Sequence, residues 1–360
     1  MMTFLRDQNA ERITPASTSR PRLLLAVISL ALVTACGSST AVEPVDTSNR
    51  LALFDRVHAD VELKFSFFDR ANTDWSAIRA FYRDSASNAT TRTNADAAIG
   101  RMVQRLGDYH AAFFAPSGSY AALPIPYPHN FDARVVQGRY LVSFSATPSR
   151  RIRFGRVTTS LATDIGYIAI PDFGGADWGV EIEAALAALG TVRALVIDVR
   201  DNGGGDEAIA RDVAARFYDR TRVYRVSHFR NGPLRADFGS PIAVSLDPGG
   251  TRRFTGPVAV LTNRFNGSSA EDFICMMRVL PQVTTVGDTT IGNGSNPLRI
   301  DYGSGYALQI PQSRQSTPDG FVYQYVGLPP RVPVRWTAAD SAGGRDPYLD
   351  AALSALRGAP

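Results

Sequence analysis

Ala194-Leu195-Val196-Ile197-Asp198-Val199-Arg200-Asp201-Asn202-Gly203-Gly204-Gly205 decides how this chain reads. Ala194 to Val199 is a nearly continuous apolar run, the pattern of a strand buried on both faces. Glu207 to Tyr218 then follows at helical spacing, with Ile209, Val213 and Phe217 on one side. Strand, glycine-rich turn and helix therefore follow one another directly. Three successive glycines expose backbone N–H groups beside a helix N-terminus, which suits an anion or oxyanion. A phosphate loop would end in Gly-Lys-Ser/Thr, and no lysine lies near. A structural tight turn would use the same glycines.

Outward from this stretch the alternation repeats. Gly166 to Ile170 reads as a strand and Trp178 to Leu189 as a helix. Val258 to Leu261 is a second buried strand, Ala270 to Leu280 a helix, and Thr284 to Gly287 a further strand. This succession predicts a layered α/β domain over 161–360. It closes with a helix capped by Asp346 and started by Pro347, with Leu349, Leu353 and Leu356 at helical spacing. Before it, three amphipathic segments predict a small helical domain over 49–115. The first runs from Arg50 to Arg70, with Phe54, Val57, Val61, Phe65 and Phe68 on one face. The second begins at Asp74-Trp75. The third opens on Thr93-Asn94-Ala95-Asp96, which is like a capping box. Residues 116–160 read as a short β-rich connector, too short for a complete peptide-binding domain of the PDZ type.

Composition narrows the function classes. The 360 residues are 44% apolar and 20% charged, as a folded chain requires. The formal charge is +4, but four arginines lie in the first 35 residues against Asp7 and Glu11. The remainder is nearly neutral and carries no footprint for nucleic acid. Two cysteines make neither a disulfide framework nor a four-ligand zinc site, and nothing calls for a metal or cofactor. Cys275 lies in an apolar helical run and reads as a buried thiol.

Arg20 and Arg22 precede the apolar run Leu23 to Ala35. As a helix that run spans only about 20 Å, against roughly 30 Å of bilayer hydrocarbon, so it fits a signal-peptide core over 1–35. It ends in Val33-Thr34-Ala35-Cys36, which resembles the bacterial lipobox. That resemblance implies acylation of Cys36, a tether over 36–48 and membrane attachment. Gly37 is not the aspartate that retains such proteins at the inner membrane, so the expected place is the cell envelope, at the outer membrane facing the periplasm. An ordinary secretory signal with a chance cysteine is the alternative.

Asn263-Arg264-Phe265-Asn266-Gly267-Ser268-Ser269-Ala270-Glu271 also follows a buried strand and opens a helix. A serine at such a turn can present its oxygen outward, with the next N–H as an oxyanion donor. Read alone, Ser268 or Ser269 is equally a helix N-cap. A nucleophilic serine needs a base, and the chain has four histidines, His58, His110, His129 and His228. His110 directly follows the third helix, where a cation also suits the helix dipole.

These segments form an ordered set. Leu106-Gly107-Asp108-Tyr109-His110 resembles the Leu-x-Asp-x-His motif of the tail-specific, or C-terminal processing, serine peptidases. Within that group the similarity is to the branch of the tricorn core and the retinoid-binding-protein repeats. Asp198 to Gly205 resembles its Asp-x-Arg-x-Asn-Gly-Gly-Gly loop, and Ser268 to Glu271 its Ser-x-x-Glu turn. Gly287 to Ser295 resembles its Gly-Glu/Asp-x-Thr-x-Gly segment, and Gly327-Leu328-Pro329-Pro330 its Gly-Ile-x-Pro segment. The resemblance implies a layered α/β catalytic domain of the crotonase or ClpP kind. It implies Ser268 as nucleophile, His110 as general base, and an oxyanion hole from Ser269 N–H with Gly203 or Gly204.

Three departures stand out. The Ser-Lys branch carries Gly-Lys-Gly where this chain has Asn293, and Lys64, its only lysine, belongs to the first helix. The tricorn-like branch often has serine and glutamate where this chain has Tyr109 and Gln324. Gln324 can hydrogen-bond but cannot stabilise an imidazolium by charge, which leaves Asp108 as a substitute. The expected function is a serine endopeptidase acting on extended or unfolded peptide or protein substrates. The alternative is a catalytically weak peptide-binding lipoprotein that keeps the fold.

Overall fold

The computed structural model describes residues 45–70, 74–121, 125–158 and 164–357. The leader, Cys36 and most of the tether lie outside them. Pro44 to Pro360 forms one compact unit.

In chain order the elements are α1 (Arg50–Lys64), α2 (Trp75–Ser87), α3 (Arg92–Gln104), β1 (Ala112–Ala115), β2 (Gly118–Tyr120) and the short α4 (Ala133–Val135). Then come β3 (Leu141–Ala146), β4 (Arg153–Val157), β5 (Ile165–Ala169), α5 (Trp178–Leu189), β6 (Ala194–Asp198) and α6 (Glu207–Ala214). Next are β7 (Arg222–Phe229), β8 (Ile242–Leu246), β9 (Val258–Thr262), α7 (Ser269–Arg278) and β10 (Val283–Gly287). The chain ends with β11 (Pro297–Gly303), β12 (Tyr306–Pro311), β13 (Ser313–Ser316), β14 (Val332–Pro333), α8 (Ala338–Ala342) and α9 (Pro347–Arg357).

Seven strands make the central sheet, in the order β14-β10-β9-β6-β5-β4-β3. Its five strands from β14 to β5 run parallel, and β4 and β3 add antiparallel at one edge. Every residue of β6 and of β9 is buried, as their continuous apolar composition predicts. Leu195 and Ile197 face one core with α5, α6 and α7. Ala194 and Val196 face the other, closed by Leu349, Leu353 and Leu356 of α9. Asp346 caps α9 through 3.1 Å bonds from the N–H groups of Tyr348 and Leu349. The register sets Asp198 beside Leu261, so the loops after β6 and β9 leave the sheet side by side.

The expected separation at 115 and 160 does not mark compact units. Helices α1 to α3 bury Phe54, Val57, Val61 and Met102 in one cluster with Phe113 of β1, Tyr302 of β11 and Leu308 and Ile310 of β12. Amphipathic helices this short need a partner surface, and here strands from the C-terminal half supply it. The presumed connector likewise contributes β3 and β4 to the central sheet. Two local readings also shift. The first helix ends at Lys64, before Phe65, Phe67 and Phe68 turn into the core. The third is capped by Thr91, not Thr93, and Asp96 instead pairs with Arg92.

Candidate active site

The loop after β6 is held from beneath by its own side chains. Asn202 is fully buried; its Nδ2 donates to Ile170 O at 3.1 Å, and its Oδ1 accepts from Gly204 N at 2.9 Å. Asn266, from the loop after β9, donates to the carbonyls of Val199 and Asn202. Arg200 is buried between Asp198 and Asp346, with its guanidinium 4.2 Å from the Phe131 ring centroid. The two loops are thus one hydrogen-bonded body. Gly204 sits at φ +108°, and a Cβ there would lie 3.0 Å from Ser269 N. Only glycine allows that approach.

Ser268 occupies the turn from β9 into α7 at φ 54° and ψ −132°, a sparsely populated conformation for a residue with a side chain. It stands at the N-cap position, yet its side chain caps nothing. Its N–H donates to Asn293 O at 3.0 Å, and its carbonyl accepts from Glu271 N at 2.8 Å. The strain therefore aims the hydroxyl without using it. Ser269 differs: it is buried, and its Oγ donates to Gly205 O at 2.8 Å. That bond separates two serines the sequence leaves equal.

The N–H groups of Gly203 and Ser269 donate to no acceptor among the described residues. The N–H of Gly204 is taken by Asn202, so of the two glycines offered by sequence it is Gly203 whose donor is open. Glu271 is fully buried, one turn into α7. It accepts from Thr290 Oγ1, from Gly292 N at 2.8 Å and from Asn293 N at 2.7 Å. Burial pushes its carboxyl up to about 7 against those bonds. It braces the segment that meets Ser268.

His110 is carried in by the start of β1, which pairs with β12, and its carbonyl accepts from Gln309 Nε2 at 3.1 Å. The imidazole is buried, with Nδ1 lacking any partner among the described residues. Burial holds the ring below the usual histidine range; the Asp108 charge and the Ser295 main chain oppose that. Ser268 and His110 thus border one segment: Asn293 accepts the N–H of Ser268, and Ser295, two residues on, lies against the imidazole.

Asp108 is buried, and its Oδ1 accepts the N–H of His110 at 2.8 Å. Its Oδ2 accepts from Gln324 Nε2 at 2.7 Å, and Gln324 Oε1 accepts from Ser295 N at 3.2 Å. Tyr109 is half-buried; burial, with Tyr127 nearby, pushes its phenol up, and it joins none of these bonds. Lys64 is the last residue of α1 and enters no contact of this site. Cys275 is fully buried, which pushes its thiol up. No group of three His, Cys, Asp or Glu among the described residues is arranged to hold a metal.

Sequence reasoning passes over His129. Its Nδ1 lies 2.8 Å from Asp201 Oδ2, and its ring stacks on Phe265 at 4.3 Å, so it ties the 125–132 segment to both loops. A cleft of about 510 Å³ opens there, lined by Tyr127, Asn130, Arg264, Asp288, Trp336 and Tyr348 among others. A lone histidine just after Pro126 and Pro128 gives no signal of that role.

Two loops joined at the ends of parallel strands, a strained serine and a buried histidine make up the candidate site. Residues 164–334 match the model of peptidase family S41. This segment belongs to that family. The tricorn protease of Thermoplasma acidophilum is 28% identical over 197 residues, which cover 53% of this chain and 16% of that protein. The carboxy-terminal processing protease CtpB of Bacillus subtilis is 26% identical over 181 residues, 50% of this chain and 36% of that protein. The matches therefore span only about a sixth to a third of these relatives. Among solved structures, a candidate peptidase from Parabacteroides merdae superposes with a TM-score of 0.74 at 24% identity, over 84% of this chain and 95% of that one. The photosystem II D1 C-terminal processing protease gives 0.53 at 17% identity, over 79% and 93%. The layered α/β fold with its large central sheet is the one these S41 peptidase structures share.

Proposed function

We propose that this chain is a serine peptidase that cleaves extended peptide segments by acyl transfer. The observation that carries this reading is Ser268, strained at φ 54° with a hydroxyl that caps nothing, at the mouth of a parallel sheet. Ser268 attacks the scissile carbonyl. His110 takes its proton and returns it to the leaving amine. The N–H groups of Gly203 and Ser269 receive the oxyanion. Burial disfavours the charged imidazole, which leaves the ring nitrogen as an acceptor, while the Asp108 charge and the Ser295 main chain oppose that. The family match over 164–334 and the resemblance of the flanking motifs support the assignment. Substrate adds as a strand beside the cleft. The lipobox-like Val33 to Cys36 supports an acylated Cys36 and an outer-membrane site facing the periplasm; loss of fatty-acid incorporation in Cys36→Ala tests that part.

A serine-reactive phosphonate tests the mechanism. It should label the protein and fail on Ser268→Ala; equal labelling removes Ser268 from the role. The second reading is a peptide-binding protein with feeble turnover. It is favoured by one observation, that His110 Nδ1 meets no carboxylate among the described residues. Peptide binding without cleavage at any pH where histidine titrates would select it.

A further inference from the structure

We propose that Asp108 is the positioning residue that supplies the charge for His110, and that the Gln324 amide of this chain serves to hold Asp108. This rests on the assignment of His110 as the base. Asp108 is the buried carboxylate two residues before His110, and both of its oxygens are engaged. One accepts the main-chain N–H of His110, which fixes where the ring departs from the backbone. The other accepts the Gln324 amide at 2.7 Å.

The chemistry fixes the orientation of Gln324. A carboxylate only accepts and a main-chain N–H only donates. Between Asp108 and Ser295 N, the side chain at 324 must therefore turn its NH2 to Asp108 and its oxygen to Ser295. A glutamate there would satisfy Ser295 but would set a second carboxylate within 2.7 Å of the first. Two like charges so close in a buried site cannot both ionise, so one proton would be retained and the charge beside the base altered. The Tyr325 phenol, from the next residue, also faces Asp108. Asp108 is the charged group that acts on the imidazole, and it favours the protonated ring against burial; the Ser295 main chain acts in the same sense. The device thus stabilises the imidazolium formed as Ser268 attacks, with no bond from carboxylate to Nδ1.

Exchange of the two side chains provides the test. In Asp108→Asn/Gln324→Glu the three hydrogen bonds that join 108, 324, His110 and Ser295 are kept: Asn Oδ1 accepts from His110 N, Asn Nδ2 donates to the glutamate, and the glutamate accepts from Ser295 N. Only the charge moves, by one side chain. Four proteins are compared: the parent, Asp108→Asn, Gln324→Glu and the exchange, each checked for a folded thermal transition. The readouts are kcat/KM against pH on an unstructured peptide and the NMR titration of His110. Asp108→Asn should lose on the order of ten- to a hundredfold and titrate His110 at lower pH, because a favourable charge is gone. Gln324→Glu should lose about tenfold or more at neutral pH. The exchange should recover to within about tenfold of the parent and restore the titration toward the parent value. A Gln324→Glu protein as active as the parent, or an Asp108→Asn protein with an unmoved His110 titration, overturns the proposal. Should no protein cleave any peptide, the assignment of a peptidase fails, while the His110 titrations still decide whether Asp108 acts on the ring.

Discussion

Gly204 lies so close to Ser268 that a Cβ added to it would stand 2.8 Å from the Cβ of Ser268 and 2.7 Å from Gly267 O. Backbone strain adds to the clash, since φ at Gly204 is +108°. Gly203→Ala meets nothing within 4 Å. Gly204→Ala should therefore cost about 1–3 kcal/mol of stability and push Ser268 off its position, with an activity loss on the order of a hundredfold. Gly203→Ala should leave stability within about 0.5 kcal/mol. Urea unfolding and kcat/KM on one peptide check both; equal stability losses would mean that the contact with Ser268 is not what demands glycine.

The two adjacent serines should separate as sharply. The hydroxyl of Ser269 bonds to Gly205 O, while its N–H remains in any residue placed there. Ser269→Ala should lose about 0.5–1.5 kcal/mol and keep activity within about tenfold. Ser268→Ala should keep stability, or gain slightly, and lose phosphonate labelling. Thermal transitions run beside labelling distinguish the pair, and loss of labelling in Ser269→Ala would shift the nucleophile.

Much of this site is legible in the residues, for identifiable reasons. The strands β6 and β9 announce themselves because burial on both faces leaves polar residues only at their ends, Asp198 and Thr262, and the glycine loop follows because its contacts at Gly204 demand glycine. Ser268 and Ser269 are not separable by sequence, since the turn conformation and the bond to Gly205 depend on loops 64 residues apart. The helical segments misled for a related reason. Their periodicity shows a face to be buried but not the partner, and the partner proved to be β11 and β12, about 200 residues further along the chain, where no local pattern links the two. Gln324 reads as a loss of charge until Asp108 is seen opposite it. The charge is present, one side chain away from where the resemblance places it.

Glu271 makes a prediction about pH. Its carboxyl rises from 4.5 to about 7 on folding because burial outweighs three hydrogen bonds. A folded value above the unfolded one means that the native state holds a proton the unfolded chain has released. This contribution to stability is complete below pH 4.5 and is lost as pH rises to about 7. Glu271→Gln removes that titration, so its stability relative to the parent should improve steadily between pH 4.5 and 7. It should still be less stable in absolute terms, because an amide NH2 must then face Gly292 N or Asn293 N. Urea midpoints at pH 5 and pH 7.5 give the difference; a difference that is flat with pH would place the proton elsewhere, Asp272 being the neighbour with a similarly raised carboxyl.

Asp346 joins the C-terminal helix to the glycine-rich loop after β6. One of its oxygens caps α9, and both accept from Arg200 Nη1 at 2.8–3.0 Å in a fully buried pair. Arg200 also bonds Asp198, and Asp201 to Gly203 follow it directly. Two substitutions divide these roles. Asp346→Asn keeps an oxygen for the cap but withdraws one charge from a buried arginine. Asp346→Ala removes both. Breaking a buried pair costs about 3–5 kcal/mol and losing a cap about 1 kcal/mol more. Asp346→Asn should therefore account for most of the destabilisation, with Asp346→Ala only slightly worse. Activity should fall in both, since the loop that carries Gly203 loses its anchor. If Asp346→Asn keeps full stability while Asp346→Ala does not, the cap alone fastens the helix, Asp198 suffices for Arg200, and the loop that carries Gly203 does not depend on α9.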